Sequence, residues 1–304
     1  MSRALRFAVV AVAGLLVVLV LGAVSTLRSE ERSPEPATSS SASAAPRPNP
    51  VGLLLLQVSD ASDYAPVNAV IGSAAGPQFT RTTVLEIPPS LLVPVDGTRI
   101  ALGMTPEEPD TLAGVKGVRG ELLLDVDASL TVDRLAFAGW VDGVDGIWLF
   151  LDDSLVLGGR DAVVRAGDAP RTVGPGWTRL DGPTAADYLL TPIPGESALA
   201  RARRNAEVIE AAISRMPETP ERLRHLVTSL GSLARPTVPT DDLVPFLLQV
   251  RADIRFGRVE RAVLPVDVIR GGERGAAVPA PRAWVMLERL FPDSRITAEE
   301  GVTG

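Results

Sequence analysis

The sequence predicts an α/β fold: a single domain with a central mixed β-sheet flanked by helices on both faces, preceded by one N-terminal transmembrane helix. Three observations carry that reading. Short apolar runs alternate with helical periodicities between residues 51 and 295, the pattern of layered strands and helices. One run, Gly52–Asp60 (GLLLLQVSD), is apolar without alternation, as in a strand covered on both faces. Finally, Phe7–Leu27 is an uncharged stretch of 21 residues.

That stretch, as a helix rising ~1.5 Å per residue, spans about 32 Å and matches the hydrocarbon thickness of a bilayer. Arg3 and Arg6 precede it, and Glu30, Glu31 and Glu35 follow it. The positive flank stays inside, so residues 1–6 form a cytoplasmic tail, 7–27 an uncleaved anchor, and everything beyond is extracytoplasmic. Cleavage near Ala23 and Ser25 is the alternative. Residues 28–50, rich in Ser, Pro and Ala, hold too little apolar surface to offset ordering entropy and read as a linker. The domain runs over 51–295, and 296–304 is a tail.

Within the domain, further strands are expected at Pro66–Gly72, at Thr82–Ile87 (stopped by Pro88 and Pro89), at Glu121–Val126, at Gly146–Asp152 and at Arg258–Ile269. A short helix is expected in Thr131–Val144. The clearest helix is Glu196–Met216, where Leu199, Ala202, Ala206, Ile209, Ile213 and Met216 draw one apolar stripe and Pro217 and Pro220 end it. Helices are also expected near 220–234, 241–250 and 281–291. Trp140, Trp148 and Trp177 read as core.

Composition excludes several functions. The chain has 30 Lys and Arg against 37 Asp and Glu, no Cys and one His. Residues 1–28 hold three arginines and no acid, so the remainder carries a net charge of −10 (27 basic, 37 acidic). Such a body lacks the basic footprint of a nucleic-acid binder. Without cysteine there is no disulfide, thiolate or Cys-type zinc chemistry. His225 lies in a surface-helix pattern, and Lys116 is the only lysine.

The order of segments resembles the LytR-CpsA-Psr envelope proteins, over about residues 51–292 plus anchor and linker. GLLLLQVSD matches that family's first strand and its Gly-Ser-Asp turn. TTVLEIPPSLLV matches the strand ending Ile-Pro-Arg-Asp, and LAFAGWVDGVDGI matches the helix ending Val-Asp-Ala-Val-Gly-Gly-Val. LDGPTAADYLL is similar to Leu-Asp-Gly-x-x-Ala-Leu-x-Tyr-Val-Arg, and RARRNAEVIEAAI to Arg-x-x-Arg-Gln at the head of a long helix. The resemblance is to a divergent member of actinobacterial type. It implies a phosphotransferase that moves a glycopolymer from a polyprenyl-pyrophosphate carrier to peptidoglycan, with arginines on the pyrophosphate, an aspartate pair on Mg²⁺ and an apolar cavity for the prenyl chain. Phosphoryl transfer rests on positioning and charge neutralisation, so those residue types suit it.

Residue by residue, much of that chemistry is missing. Pro89 and Ser90 stand where Arg-Asp is expected; Ala65, Pro66, Val67 and Asn68 stand for Arg-Ser-Asp-Thr; Leu190 and Pro192 replace the arginines after Tyr188. Losing three charge-assisted contacts of ~1.5–3 kcal/mol each removes about 5–9 kcal/mol of phosphate stabilisation. What remains by the resemblance is Arg201, Arg204 and Asn205, with Arg81 at a strand edge, as phosphate-binding candidates, and Asp60 with Asp63 as metal candidates. On the helical wheel Arg201 and Asn205 flank the apolar stripe, and Arg204 lies further round, toward solvent. The expectation is a degenerate member that binds a polyprenyl phosphate lipid, a cell-wall glycopolymer or an active paralogue, with Mg²⁺ only if the site works. The alternative is an active phosphotransferase with a reorganised site.

Overall fold

The computed structural model describes residues 51–60, 65–75, 80–105, 112–157, 171–269 and 276–296. The expected anchor (7–27), linker (28–50), Asp63 and all of the tail but Ile296 lie outside them. Among the described residues, no helix is long and apolar enough to cross a membrane.

The strands of the sheet are β1 (Leu53–Ser59), β2 (Val67–Ala75), β3 (Thr80–Glu86), β6 (Ala128–Asp133), β11 (Ala234–Pro236) and β12 (Val259–Val263); outside it β4 (Leu92–Val95) pairs with β5 (Thr98–Ala101) and β8 (Leu155–Leu157) with β9 (Arg171–Val173). Their order is β11-β6-β1-β2-β3-β12. β1–β2, β2–β3 and β6–β11 are antiparallel, whereas β1–β6 and β3–β12 are parallel, so the sheet is mixed as expected. Every residue of β1 is buried. Leu54, Leu56 and Val58 join the core beneath α2 (Arg134–Gly143), α3 (Gly182–Leu190), α4 (Ala198–Ser214), α5 (Pro220–Ser229) and α6 (Thr240–Arg255). Leu53 and Leu55 point to the other face, into a second core with α1 (Ala113–Leu122) and α7 (Pro281–Leu290). The two-residue period of the strand therefore feeds both layers and explains its unbroken apolar run.

Several expectations are corrected. Glu121–Val126 is not a strand: α1 ends at Leu122, and Leu123 caps it with φ 53. The strand lies at 128–133, in the stretch expected to begin the helix that starts only at Arg134. Glycines hide α1 in the sequence, but they serve its packing: a Cβ at Gly117 would lie 2.7 Å from Val93. Arg258–Ile269 is two strands, β12 and β13 (Val266–Val268). Ile147–Leu151 (β7) is outside the main sheet, paired with β10 (Gly176–Leu180). Its outward residues Trp148 and Phe150, with Trp177 opposite, are exposed, and only Trp140 is core. Along α4, Ile209 and Ile213 are buried as expected, whereas Leu199 is 48% exposed.

Candidate functional site

None of residues 198–203, the opening turns of α4, is buried. Ser197 caps the helix, accepting from the Ala200 N–H at 3.1 Å. Its opening turns stand across from the Pro88–Pro89 turn after β3 and from the segment joining β12 to β13. Between them lies a groove of about 730 Å³, within the usual size of a small-molecule site (roughly 300–1,000 Å³). A second hollow of about 440 Å³ adjoins it along α4 and shares Glu86, Leu199, Ala202 and Val263 with it.

The groove gathers three of the positions at which the sequence departs from the family pattern. Pro66, Pro89 and Ser90 line it, together with Arg201 and Asn205. Arg201 is half-buried, and its guanidinium reaches the Leu190 carbonyl at 3.5 Å. Asn205 is buried, and the amide orientation that satisfies its surroundings has its nitrogen donating to the carbonyls of Arg201 (3.3 Å) and Leu189 (3.2 Å), which ties the helix to the end of α3.

Arg204 is placed differently from its expected solvated position. It is 5% exposed, and its guanidinium forks onto Glu196 at 2.8 and 2.7 Å. It also donates to the carbonyls of Tyr188, Leu189 (3.3 Å) and Thr191 (3.2 Å), with the Tyr188 ring centroid 5.2 Å away. These carbonyls terminate α3, where a cation complements the helix dipole. Arg204 is thus a clamp for the 188–197 loop. The helical wheel could not foresee this, because the loop folds over that side of α4.

Arg81 lies five residues before Glu86 on β3, about 17 Å away at ~3.3–3.4 Å per residue, and pairs with Glu260. It does not line the groove. Asp60 follows β1, at the end of the sheet where β2 begins, and is not among the groove's lining residues either. The groove's carboxylates are Glu86 and Glu196, and the latter is engaged by Arg204. No group of three or more potential metal-ligating side chains occurs among the described residues. Among the described residues, Glu86 and the engaged Glu196 do not by themselves make the near-octahedral oxygen set that Mg²⁺ demands.

The sequence reading missed Glu86. It ends β3, is 4% exposed, and its Oε1 has no hydrogen-bond partner among the described residues. Burial pushes its carboxyl well above the usual carboxylate range. The available signal was a lone acid directly after the apolar pair Val84–Leu85 at the end of β3, on the α4-facing side with Val84. Other motif residues prove architectural. Asp181 caps α3 through the Thr184 N–H (2.9 Å), and its carboxyl is held below the ordinary range chiefly by the bond with Thr184. A Cβ at Gly182 would meet the Ala138 carbonyl at 2.0 Å, so this glycine lets α2 and α3 touch. Asp127 accepts from the N–H groups of Gly52 and Leu53, both at 2.8 Å.

No family model matches the chain, and neither does any curated protein. Solved structures do. A LytR-Csp2A-Psr enzyme from Actinomyces oris is similar at TM-score 0.57 and 17% identity, over 83% of this chain and 92% of that one. TagT, solved bound to LIIa-WTA, aligns at TM-score 0.57 and 17% identity, over 78% and 88%. A protein described as a transcriptional regulator from Enterococcus faecalis aligns at TM-score 0.60 and 16% identity, over 83% and 92%. At such identities the likeness is one of architecture: this chain has the LytR-CpsA-Psr fold.

Proposed function

We propose that this chain is a membrane-anchored, extracytoplasmic protein of cell-envelope assembly, which holds polyprenyl-linked glycopolymer intermediates, alone or beside an active paralogue, without transferring them. The supporting observation is the groove between α4 and the Pro88–Pro89 turn, where Pro89 and Ser90 stand at the positions the resemblance assigns to an arginine and an aspartate. It keeps apolar walls from Leu199, Ala202, Val263 and Leu264, and Arg201 at its edge, but offers no fork of arginines for a diphosphate. TagT, a protein of the same fold, is recorded in complex with LIIa-WTA. The regulator description of the E. faecalis protein is a poor guide here, since the body's net charge of −10 opposes nucleic-acid binding.

The test is calorimetric binding of a polyprenyl phosphate to the full chain in detergent, beside a release assay with a polyprenyl pyrophosphate and Mg²⁺. Saturable binding without turnover is expected, and Arg201→Ala should weaken it by no more than about tenfold, ~1.4 kcal/mol. Metal-dependent turnover would establish the alternative, an active phosphotransferase. Absence of binding would refute a lipid-holding role.

A further inference from the structure

Glu86 stands where an apolar residue would serve the fold better. It closes β3 opposite Ala69 of β2 and Val263 of β12, and alternation turns it to the same face as Thr82 and Val84. It lines both hollows at their junction, among Leu199, Ala202 and Val263, with Oε1 unpartnered among the described residues. A buried polar atom without a partner is rare in native folds and asks for a reason. A ligand oxygen entering the groove would supply one.

The charges around it indicate the sign of that ligand. α4 presents Arg201, Arg203 and Glu207; α7 presents Arg282; β12 presents Arg261, which is paired with Glu210. Glu196 is taken by Arg204, β2 offers Ala69 opposite, and Asp253 of α6 accepts from Thr82 and pairs with Arg258. Beyond these ion pairs, Arg201 and Arg282 line the groove and Arg203 and Glu207 the adjoining hollow, a surplus of basic side chains on a protein that is acidic as a whole. Burial favours the uncharged carboxyl, and a carboxylic acid donates a short, strong hydrogen bond to an anionic oxygen, whereas a carboxylate repels it.

Resting on the reading of this groove as a prenyl-phosphate site, we infer that the Glu86 carboxyl is the hydrogen-bond donor to a phosphoryl oxygen of the bound ligand. It does without a fixed cation what the missing arginines would do with one. Binding is therefore linked to a proton: affinity falls as pH rises and Glu86 ionises.

The experiment is calorimetric titration of the full chain with farnesyl phosphate from pH 5 to 9, in wild type, Glu86→Gln and Glu86→Leu. Gln keeps a donor but cannot titrate, so its profile records the ligand's own ionisation (second pKa about 6 for a phosphate ester). Relative to Glu86→Gln, wild type should lose about tenfold in affinity toward high pH, the scale of one hydrogen bond to a charged group. Glu86→Leu should bind more weakly than wild type at low pH. A wild-type to Gln affinity ratio constant with pH, or full affinity in Glu86→Leu, overturns the inference and leaves the lipid-binding reading standing. No binding by any variant at any pH overturns both. Inorganic phosphate with the same pH profile and affinity would support the donor role while removing the lipid as its source.

Discussion

Arg204 offers the sharpest test of how the groove is held in shape. Arg204→Met keeps most of the side chain's volume and removes the fork. Glu196, whose side chain is 10% exposed, then loses both bonds (2.8 and 2.7 Å), and the carbonyls of Tyr188, Leu189 and Thr191 lose a donor at the end of α3. Removing one partner of a buried, hydrogen-bonded pair costs about 3–5 kcal/mol, because the other charge is left behind. The lower end suits this site, since Glu196 is near enough to the groove to recruit water. For a domain of this size a loss of ~3 kcal/mol lowers Tm by about 6–12 °C. Thermal unfolding followed by circular dichroism reads it. Arg204→Met combined with Glu196→Gln should show a coupling of at least ~1.5 kcal/mol, because the double variant leaves no orphaned charge. A fall in Tm of under about 2 °C, or additive single effects, would refute the clamp.

Two further outcomes concern the core and pH. Ile209→Asp puts an unpaired carboxylate at a fully buried position of α4 and should cost ~3 kcal/mol or more in urea unfolding; an unchanged midpoint would mean this face of the helix is not core. Glu86→Met removes an unpartnered buried oxygen and should stabilise the fold at pH 8 by about 1–3 kcal/mol. Because the folded-state pKa of Glu86 is raised, the native chain holds a proton that the unfolded chain has lost. Wild-type stability therefore falls as pH climbs from the ordinary carboxylate range through the folded pKa, and the gain in Glu86→Met should shrink toward pH 4. An equal gain at every pH would contradict the burial argument.

The layered architecture was legible because it rests on periodicity: an apolar run without alternation for β1, and threefold and fourfold spacing with closing prolines for α4. α1 escaped because Gly114, Gly117 and Gly120 depress helix propensity, while Gly114 and Gly117 allow close approach to Gln57 of β1 and to Val93, a tertiary reason that no local scale contains. The strand IWLFL looks buried throughout, yet it sits in a two-stranded ribbon with one free face, so Trp148 and Phe150 point outward. Among the site residues, Arg201 and Asn205 were legible by their match to Arg-x-x-Arg-Gln, and they do meet Pro89 and Ser90 in one groove. Arg204 was misjudged because a helical wheel gives an angle and not what folds over it. Glu86 was overlooked because its meaning lies in its missing partner, which only three-dimensional packing reveals.

A crystal structure of the chain soaked with farnesyl phosphate below pH 6 would show whether the groove between α4 and the Pro88–Pro89 turn is a prenyl-phosphate site. The phosphate is expected within hydrogen-bond distance of the Glu86 carboxyl and near the Arg201 guanidinium, with the tail along Leu199, Ala202 and Val263. A phosphate bound elsewhere, with this groove filled only by water at saturating ligand, would contradict it.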